Sequence, residues 1–254
     1  MTDLGRTLAV IPARGGSKRV PEKNLRDVGG RPLVAHAIAH AEAAVHVDRA
    51  VVSTDDEELA RVAREHGGDV PFKRPPELAT DTAPVAGTIT HALDWAESSD
   101  GPYDTVCVLQ VTCPLRTPVD VDGALTRLAE SDAMSVVSVS EYVTPPQWAV
   151  TTDEEGYLAD AFGVGELWTD EPKRSQDLTD LRHPNGAVFA VTTGAWRTHE
   201  SFYTPRTVGY EMPPERSFDV DEPWELELVR ALYDRYRGEE ADRSARDAGG
   251  NWAE

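Results

Sequence analysis

One stretch near the start of the chain, Thr7–Asn24 (TLAVIPARGGSKRVPEKN), constrains the fold more than any other. It opens with a short apolar run, Leu8–Pro12, which has the length of a buried parallel strand. The run passes directly into a loop of small and basic residues, in which the adjacent glycines Gly15 and Gly16 let the backbone turn sharply. Successive N–H groups in such a turn can converge on an anion, so the stretch predicts a buried strand that leads into an anion-binding loop.

Three cations lie in or beside this turn: Arg14, Lys18 and Lys23. They can supply the positive charge that a polyphosphate needs. The glycine spacing matches neither the Gly-x-x-x-x-Gly-Lys-Ser/Thr phosphate loop nor the Gly-x-Gly-x-x-Gly dinucleotide fingerprint. Ordinary basic turns between a strand and a helix have a similar composition, so composition alone leaves both interpretations open.

Composition narrows the range of partners. The chain has 254 residues, 40% of them hydrophobic, which is enough to bury a sizeable core in one domain. Its formal net charge of −20 would repel a phosphate backbone, so we expect no nucleic-acid partner. Only two cysteines are present, no apolar run reaches the length of a membrane span, and the N-terminus has no apolar leader. We therefore expect a cytoplasmic protein that makes no membrane contact.

Apolar runs alternate with helical patterns along the chain, which predicts an α/β fold with an open, mostly parallel, Rossmann-like sheet flanked by helices. Further strands are predicted at Val47–Ser53, Thr105–Gln110, Ala133–Val139 and Ala187–Val191, and helices at Pro32–Ala41, Thr54–His66, Val85–Glu97, Val119–Glu130 and Pro223–Tyr236. Ligands bind outside the carboxyl ends of parallel strands in such sheets. Gln110 and Thr112, at the end of one predicted strand, should therefore face the same crevice as Arg14.

Two carboxylates late in the chain, Asp219 and Asp221, form an Asp-x-Asp pair that is predicted to lie on a short strand. Residues two apart on a strand share a face, where two carboxylates repel each other unless a cation sits between them. Hard oxygen ligands of this kind suit Mg²⁺ or Mn²⁺. An isolated Asp-x-Asp is more often a solvated edge, so the pair by itself is a weak signal.

The segment Ile11–Lys18 (IPARGGSK), followed by a Pro-x-Lys-Asn sequence that ends at Asn24, resembles the signature loop of the acylneuraminate cytidylyltransferases. This group, the CMP-sialic acid synthetases, belongs to the sugar-activating nucleotidyltransferases. Later motifs occur in the same order and extend the resemblance from Leu8 to about Arg230. It implies a nucleotide-diphospho-sugar transferase fold and transfer of CMP from CTP to a nonulosonic, sialic-type acid, with release of pyrophosphate.

The resemblance also implies which residues contact the nucleotide. They are Arg14, Gly15, Gly16, Ser17, Lys23, Asn24, Arg74 and Asp81. Of these, Arg14 and Lys23 are the implied catalytic residues, because they would stabilise the charge that develops during phosphoryl transfer.

The segments implied to contact the sugar acid depart from the family pattern in three places. The family sequence Gln-Pro-Thr-Ser-Pro-Leu-Arg begins here at Gln110, with Val111 and Cys113 in place of its proline and serine. Ser175 stands where an arginine is usual, one residue after Arg174. The implied sugar contacts are Gln110, Thr112, Arg174, Gln176, Asn185 and Phe189, and the implied ligands of Mg²⁺ or Mn²⁺ are Asp219 and Asp221.

The resemblance places a protruding dimerisation arm at about 141–183, where the sequence is irregular and rich in aromatic residues. Exposed aromatic residues on an arm are typical of a protein interface, so we expect a homodimer. The nucleotidyltransferase domain, including the arm, is expected to span 1–237. The charged, Gly- and Ala-rich stretch 238–254 is expected to be a disordered tail.

The sequence leaves the acid open. Other candidates are a deaminated or diamino nonulosonate, a 3-deoxy-octulosonate and a phosphonate, and no residue is identified that accepts the proton of the attacking hydroxyl. The alternative from another class is a non-catalytic nucleotide-binding module. The intact set of Arg14, Lys23, Asp219 and Asp221 argues against a module, because a sensor needs no pair of metal ligands.

Overall fold

The computed structural model describes residues 4–163, 165, 167–171 and 173–249, with the side chains of the last helix described through residue 236. The strands in this part of the chain are β1 Thr7–Pro12, β2 Asp27–Val28, β3 Arg31–Pro32, β4 Arg49–Ser53, β5 Thr105–Leu109, β6 Ser135–Glu141, β7 Val150–Thr152, β8 Leu158–Asp160, β9 Arg182–Thr192 and β10 Thr207–Glu211. The α-helices are α1 Leu33–Ala43, α2 Glu57–Glu65, α3 Val85–Asp100, α4 Pro118–Ala129, α5 Thr193–His199 and α6 Pro223–Gly249.

A six-stranded sheet in the order β10-β6-β9-β5-β1-β4 forms the centre of the molecule. All of its neighbouring strands are parallel except β9, which runs antiparallel to both β5 and β6. Helices cover both faces, so the predicted α/β fold with an open, mostly parallel sheet is confirmed. The sheet is mixed because β9 is inserted between two strands of the opposite direction.

The sheet separates two apolar cores, and β1 contributes to both because successive side chains of a strand point to opposite faces. Ala9 and Ile11 pack into the larger core, together with residues of α1, α2, α4 and α6. Leu8 and Val10 pack into the smaller core with α3 and α5, around the buried Trp196. Apolar side chains on both faces explain why this strand is a continuous hydrophobic run in the sequence.

The carboxyl ends of β1, β4 and β5 lie at one edge of the sheet, since these strands are parallel neighbours. The antiparallel β9 begins at the same edge, with Val188 opposite Leu109 at the end of β5. Four chain segments therefore meet at this edge: the loop after β1, the turn after β4, the loop after β5 and the start of β9. This is the edge at which ligands bind in open α/β sheets.

Two features differ from the sequence prediction or extend it. The Asp-x-Asp pair lies in irregular backbone rather than on the short strand that the sequence predicted, so that prediction is wrong. Helix α6 continues to Gly249, beyond the predicted end near Tyr236, while residues 250–254 of the predicted tail lie outside the described residues.

Cys107 and Cys113 are both free and buried. Within the described residues, no helix combines the length and apolar character that a membrane crossing requires.

The predicted arm departs from the rest of the fold in its burial. Its regular structure includes a two-stranded antiparallel ribbon of β7 and β8. None of the described residues in 141–183 is buried. Its large exposed apolar side chains include Tyr142, Tyr157, Leu158, Phe162 and Trp168. The segment is held at its base by ion pairs from Arg182 to Glu141 and Glu211.

Candidate active site

A cleft of about 780 Å³ opens at the ligand-binding edge of the sheet. Its walls come from the loop after β1, the segment from Arg74 to Ile89, the ends of β5 and β9, and the turn before α6. The residues implied by the sequence that line it are Arg14, Ser17, Lys23, Asn24, Arg74, Asp81, Gln110, Thr112, Phe189 and Asp221. The structure thus brings together in one cavity residues that lie as far apart in the chain as Arg14 and Asp221.

The loop after β1 is held in shape by its neighbours in the fold. The side-chain amide of Asn24, which is buried, donates to the carbonyl of Arg14 at 2.9 Å. The backbone N–H of Gly15 donates to Asp55 Oδ1 at 3.2 Å. A Cβ atom on Gly15 would lie 2.7 Å from Asp56 Oδ2, so a larger side chain would collide with this carboxylate. Asp55 and Asp56 therefore act as scaffold residues of this loop.

On one side of the cleft, Asp81 binds two loop cations at once. Arg14 Nη1 lies 2.7 Å from Asp81 Oδ1, and Lys18 Nζ lies 2.5 Å from Asp81 Oδ2. These hydrogen bonds, first that of Lys18 and then that of Arg14, lower the pKa of Asp81. All three side chains are partly or largely exposed, so the ion pairs are screened by solvent and can exchange for a stronger anion.

On the other side, Asp221 binds the remaining loop cations. Lys23, whose side chain is 15% exposed, donates from Nζ to Asp221 Oδ1 at 2.9 Å and to the carbonyl of Val220 at 2.8 Å. The hydrogen bond from Lys23 lowers the pKa of Asp221. Arg19 approaches the same carboxylate at 3.5 Å and also pairs with Glu222 at 3.1 Å. The sequence reasoning missed Arg19, although its place in a basic loop was a usable signal.

Arg74 lies in the wall of the cleft but is buried, with 4% of its surface exposed. Its Nε donates to Ser53 Oγ at 3.1 Å, and its Nη2 donates to the carbonyl of the same residue, which ends β4. Burial lowers the pKa of Arg74 to about 10. The guanidinium of Arg74 therefore fastens the chain segment around Arg74 to the end of β4, and Arg74 also borders the cavity.

The loop after β5 is fixed from below by a buried arginine. Arg116 Nη1 donates to the carbonyls of Gln110 at 3.1 Å and Ala187 at 2.6 Å, which ties the loop to the start of β9. Val111 and Cys113, the two departures from the family pattern, are buried among core residues. The Cys113 thiol lies 3.6 Å from the carbonyl of Asn185, and burial raises its pKa. Val111 therefore belongs to the core and also borders the cleft, whereas Cys113 does not line the cleft.

Aromatic side chains form the apolar end of the cleft. Phe189, on β9, lies with its ring centroid 5.2 Å from that of Phe202. Phe202 and Tyr203, which follow α5, also line the cavity; Phe202 is buried and Tyr203 is 62% exposed. Sequence reasoning missed both, because they stand in no recognised motif and reach the cleft through the packing of α5 on the sheet.

The two carboxylates of the Asp-x-Asp pair have different environments. Asp219 is partly buried and does not line the cleft, and its Oδ1 is a buried atom without a hydrogen-bond partner among the described residues. Burial raises the pKa of Asp219, and repulsion from Asp221 adds to this shift. The repulsion between the two carboxylates that the sequence suggests is therefore present, but burial is the larger cause of the raised pKa of Asp219.

The protein side chains supply only part of the ligand set that a divalent cation needs. An unpartnered buried carboxylate oxygen on Asp219 and a carboxylate of Asp221 that faces the cleft are ligands that Mg²⁺ accepts. The described residues contain no group of three or more His, Cys, Asp or Glu side chains placed to hold a metal. Magnesium sites of nucleotide enzymes commonly draw one or two carboxylates from the protein and take other ligands from phosphates and water. The pair fits that pattern.

Three of the implied sugar contacts lie outside the cleft. Asn185 is 4% exposed, and its amide binds Ser217 Oγ at 2.8 Å through Nδ2 and Ser138 Oγ at 2.6 Å through Oδ1. It holds β9, β6 and the segment before Asp219 together. Arg174 and Gln176 are exposed residues of the arm, and neither lines the cleft of its own chain. Gly15 and Gly16 shape the turn and also stand outside the lining residues.

The fold, and a cleft at the edge of the sheet in which cations of the loop after β1 pair with Asp81 and Asp221, are typical of a nucleotidyltransferase. A family model described as cytidylyltransferase matches residues 8–234, and the chain belongs to this family. The resemblance seen in the sequence is thus confirmed.

Curated relatives at about one-third identity span most of the chain. A pseudaminic acid cytidylyltransferase of Campylobacter jejuni is 32% identical over 230 residues, which are 90% of this chain and 96% of that protein. A CMP-N,N'-diacetyllegionaminic acid synthase of Legionella pneumophila is 35% identical over 89% of this chain and 96% of that protein. An N-acylneuraminate cytidylyltransferase of Streptococcus agalactiae is 35% identical over 84% of this chain, but this match spans only 50% of that longer protein.

Solved structures at lower identity share the fold. The CMP-2-keto-3-deoxy-manno-octonic acid synthetase complexed with CTP matches with a TM-score of 0.66 at 20% identity, covering 91% of this chain and 99% of that chain. A 4-diphosphocytidyl-2C-methyl-D-erythritol synthase of Anaerococcus prevotii matches with a TM-score of 0.61 at 11% identity, covering 91% of this chain. These likenesses support the nucleotidyltransferase fold.

Proposed function

We propose that this protein transfers CMP from CTP to a nonulosonic acid of the sialic type and releases pyrophosphate. The observation that carries the proposal is the cleft itself, where a cationic loop meets the carboxylate of Asp221, with the partly buried Asp219 two residues away in the chain. The names of the relatives at 32–35% identity support the substrate class, since each names a nonulosonic acid or its CMP derivative.

In the proposed reaction, a hydroxyl of the acid attacks the α-phosphorus of CTP. An O–P bond forms, the bond to the β-phosphate oxygen breaks, and pyrophosphate leaves with that bonding pair while the hydroxyl loses its proton. Arg14 and Lys23 would bind the phosphates and stabilise the charge that develops there, and Ser17 and the backbone of Gly15 and Gly16 would shape the cradle.

Binding of CTP would replace carboxylates by phosphates around the loop cations. In the structure Asp81 holds Arg14 and Lys18, and Asp221 holds Lys23. A triphosphate carries more charge than one carboxylate, so it can draw these cations away from partners that are themselves exposed. Asp81 and Asp221 thus keep the cations in place before the nucleotide arrives.

Asp219 and Asp221 would hold a Mg²⁺ or Mn²⁺ ion between the protein and the nucleotide. The bound ion supplies charge neutralisation at the phosphate oxygens. Asp221 presents its carboxylate to the cleft, while Asp219, which does not line it, has a buried oxygen without a partner among the described residues.

The sugar acid would occupy the end of the cleft that Gln110, Thr112 and Phe189 border. Phe202 and Tyr203 extend this end with apolar surface, which suits the carbon skeleton and acyl groups of a nonulosonic acid. The protein would act as a homodimer in which the arm reaches the neighbouring chain. This arrangement would give the exposed Arg174 and Gln176 a place beside the partner's cleft, which they do not reach in their own chain.

The test is pyrophosphate release from CTP with a panel of acids: N-acetylneuraminate, a pseudaminate, a legionaminate, a deaminated nonulosonate and 3-deoxy-octulosonate. We expect release with at least one nonulosonic acid, loss of release in excess EDTA, and a fall of roughly 100-fold or more in kcat for Asp219→Asn or Asp221→Asn. Raising the Mg²⁺ concentration should partly rescue the weaker variant. CTP binding without turnover on any acid would instead support the nucleotide-binding module, and full activity in EDTA would remove the metal.

A further inference from the structure

Glu225, in the first turn of α6, lies directly beneath the Asp-x-Asp pair. Its Oε2 accepts hydrogen bonds from the backbone N–H groups of both Asp221 and Glu222, each at 2.7 Å. Glu222 precedes the first residue of α6, so its bond is the reverse half of a capping box. The bond to Asp221 lies one residue further back, outside the helix. A helix cap does not require it.

The backbone around Asp221 has no strand to fix it. Its neighbour Val220 donates to the carbonyl of Thr112 at 2.9 Å and accepts from Lys23 Nζ at 2.8 Å. The Asp221 N–H is the next polar group in this run, and Glu225 is its partner. In irregular backbone such contacts decide where a side chain points, since no sheet ladder sets it.

We infer that Glu225 is a positioning residue for the carboxylate of Asp221. By holding the two N–H groups at 221 and 222, it fixes the peptide planes on either side of Asp221 and so directs its side chain at Lys23 and the cleft. The inference rests on the proposed function and deepens it, because it assigns the orientation of one proposed metal ligand to a residue that does not line the cleft.

The chain itself shows how an aspartate behaves at the equivalent position. Asp120 is the third residue of α4 and accepts from the N–H of Thr117, the residue that caps this helix, at 2.9 Å. Aspartate therefore reaches the cap residue, three positions back. The N–H four positions back, that of Arg116, instead donates to the carbonyl of Cys113 at 3.3 Å. Because aspartate has one methylene fewer than glutamate, we expect an aspartate at 225 to lose the bond to Asp221.

Two conservative variants can therefore distinguish a positioning role of Glu225 from a helix-capping role. Glu225→Asp keeps the charge and the bond to Glu222 but loses the bond to Asp221. Glu225→Gln loses the charge but keeps the reach, and one amide oxygen can accept both N–H groups as Oε2 does. Glu227→Asp and Glu227→Gln are matched controls, because Glu227 is an exposed residue of the same helix that pairs with Arg230.

The experiment measures Mn²⁺ binding in the presence of CTP by water-proton relaxation enhancement, which distinguishes protein-bound Mn²⁺ from Mn²⁺ on free CTP. We expect Glu225→Asp to lower Mn²⁺ affinity by roughly 10- to 100-fold, as for other residues that orient metal ligands. Glu225→Gln should stay within about threefold of wild type, and Tm should be unchanged in both. In turnover assays, Glu225→Asp should raise the Mg²⁺ requirement and lower kcat.

Wild-type Mn²⁺ affinity in Glu225→Asp, or an equal loss in Glu225→Gln, would overturn the inference. A loss that follows Tm, or that also occurs in the Glu227 variants, would do so as well, because it would show an effect on the helix. If wild type binds Mn²⁺ with CTP but releases no pyrophosphate on any acid, the proposed function fails while the pattern of metal affinities still tests Glu225. A wild type that binds no Mn²⁺ would overturn both.

Discussion

The loop after β1 and the arm at 141–183 both lie largely outside the central sheet, yet they differ in how far their side chains find partners within the chain. Each loop cation that lines the cleft has a carboxylate partner in the same chain. These cations are Arg14, Lys18, Arg19 and Lys23. The loop backbone is tied to Asn24 and Asp55. The arm buries none of its described residues and leaves large aromatic rings in solvent.

The difference separates a segment whose polar groups are paired within the chain from one that leaves apolar surface exposed. A loop whose polar groups are satisfied internally can hold its shape in an isolated chain. An arm with exposed Phe162 and Trp168 has apolar surface that a monomer does not cover. We therefore expect changes in the loop to act within one chain and changes in the arm to act through assembly.

The largest effect is expected from the loop. Arg14→Ala or Lys23→Ala should lower kcat by roughly 100- to 1,000-fold, because each removes a cation from the phosphates in the transition state. Stability should change little for Arg14→Ala, since its ion pair with Asp81 is exposed. Steady-state pyrophosphate release and thermal unfolding are the measurements. Activity within about threefold of wild type would remove the residue from the mechanism.

A smaller effect is expected from the arm. Phe162→Ser should weaken the proposed dimer by about 2 kcal/mol, or roughly 30-fold in Kd, as for an aromatic anchor of an interface. At protein concentrations near the new Kd, turnover should fall together with the fraction of dimer. Analytical ultracentrifugation and a dilution series of activity measure this, with the exposed Val45→Ser as the control outside the arm. A monomeric wild-type protein with full activity would contradict the expectation.

The next effect concerns the contribution of Asp219, beside the cleft, to folding stability. Burial raises the pKa of Asp219, so its ionised form opposes folding, and this cost increases as the pH rises through the folded pKa. Asp219→Asn should therefore raise Tm at pH 7, without nucleotide or metal, by roughly 2–4 °C, which corresponds to about 1 kcal/mol in a chain of this size. The gain should vanish as the pH falls towards about 4. A pH series of thermal unfolding tests this, and a gain independent of pH would contradict it.

The smallest effect should come from one strained residue of the loop. Glu22 has a φ of 53°, in the left-handed region that favours glycine. Glu22→Gly should change the free energy of unfolding by less than about 1 kcal/mol in the stabilising direction, because relief of strain is partly offset by the freedom of glycine in the unfolded chain. Glu22→Val should destabilise by less than about 1 kcal/mol, because the β-branched side chain adds only a small cost to the one that Glu22 already bears. Urea unfolding of both variants should show opposite signs.

Several features of this protein could be predicted from local patterns in the sequence. The apolar runs identified β1, β4, β5 and β6 because a strand buried on both faces must be continuously hydrophobic. The loop after β1 was recognisable because its glycines and cations lie within a few residues of one another. The helix cap formed by Asp56 is an equally local feature, since it depends on an N–H three residues away.

The tertiary structure decided which distant groups meet. Asp81 reaches Arg14 across 67 residues, and Lys23 reaches Asp221 across 198, through the parallel order of β4, β1 and β5 and the turn before α6. The insertion of antiparallel β9 between β5 and β6 brought Asn185 into the interior rather than the cleft. Sequence patterns report the period and burial of one segment at a time, whereas burial of a polar group and its choice of partner depend on every segment packed around it.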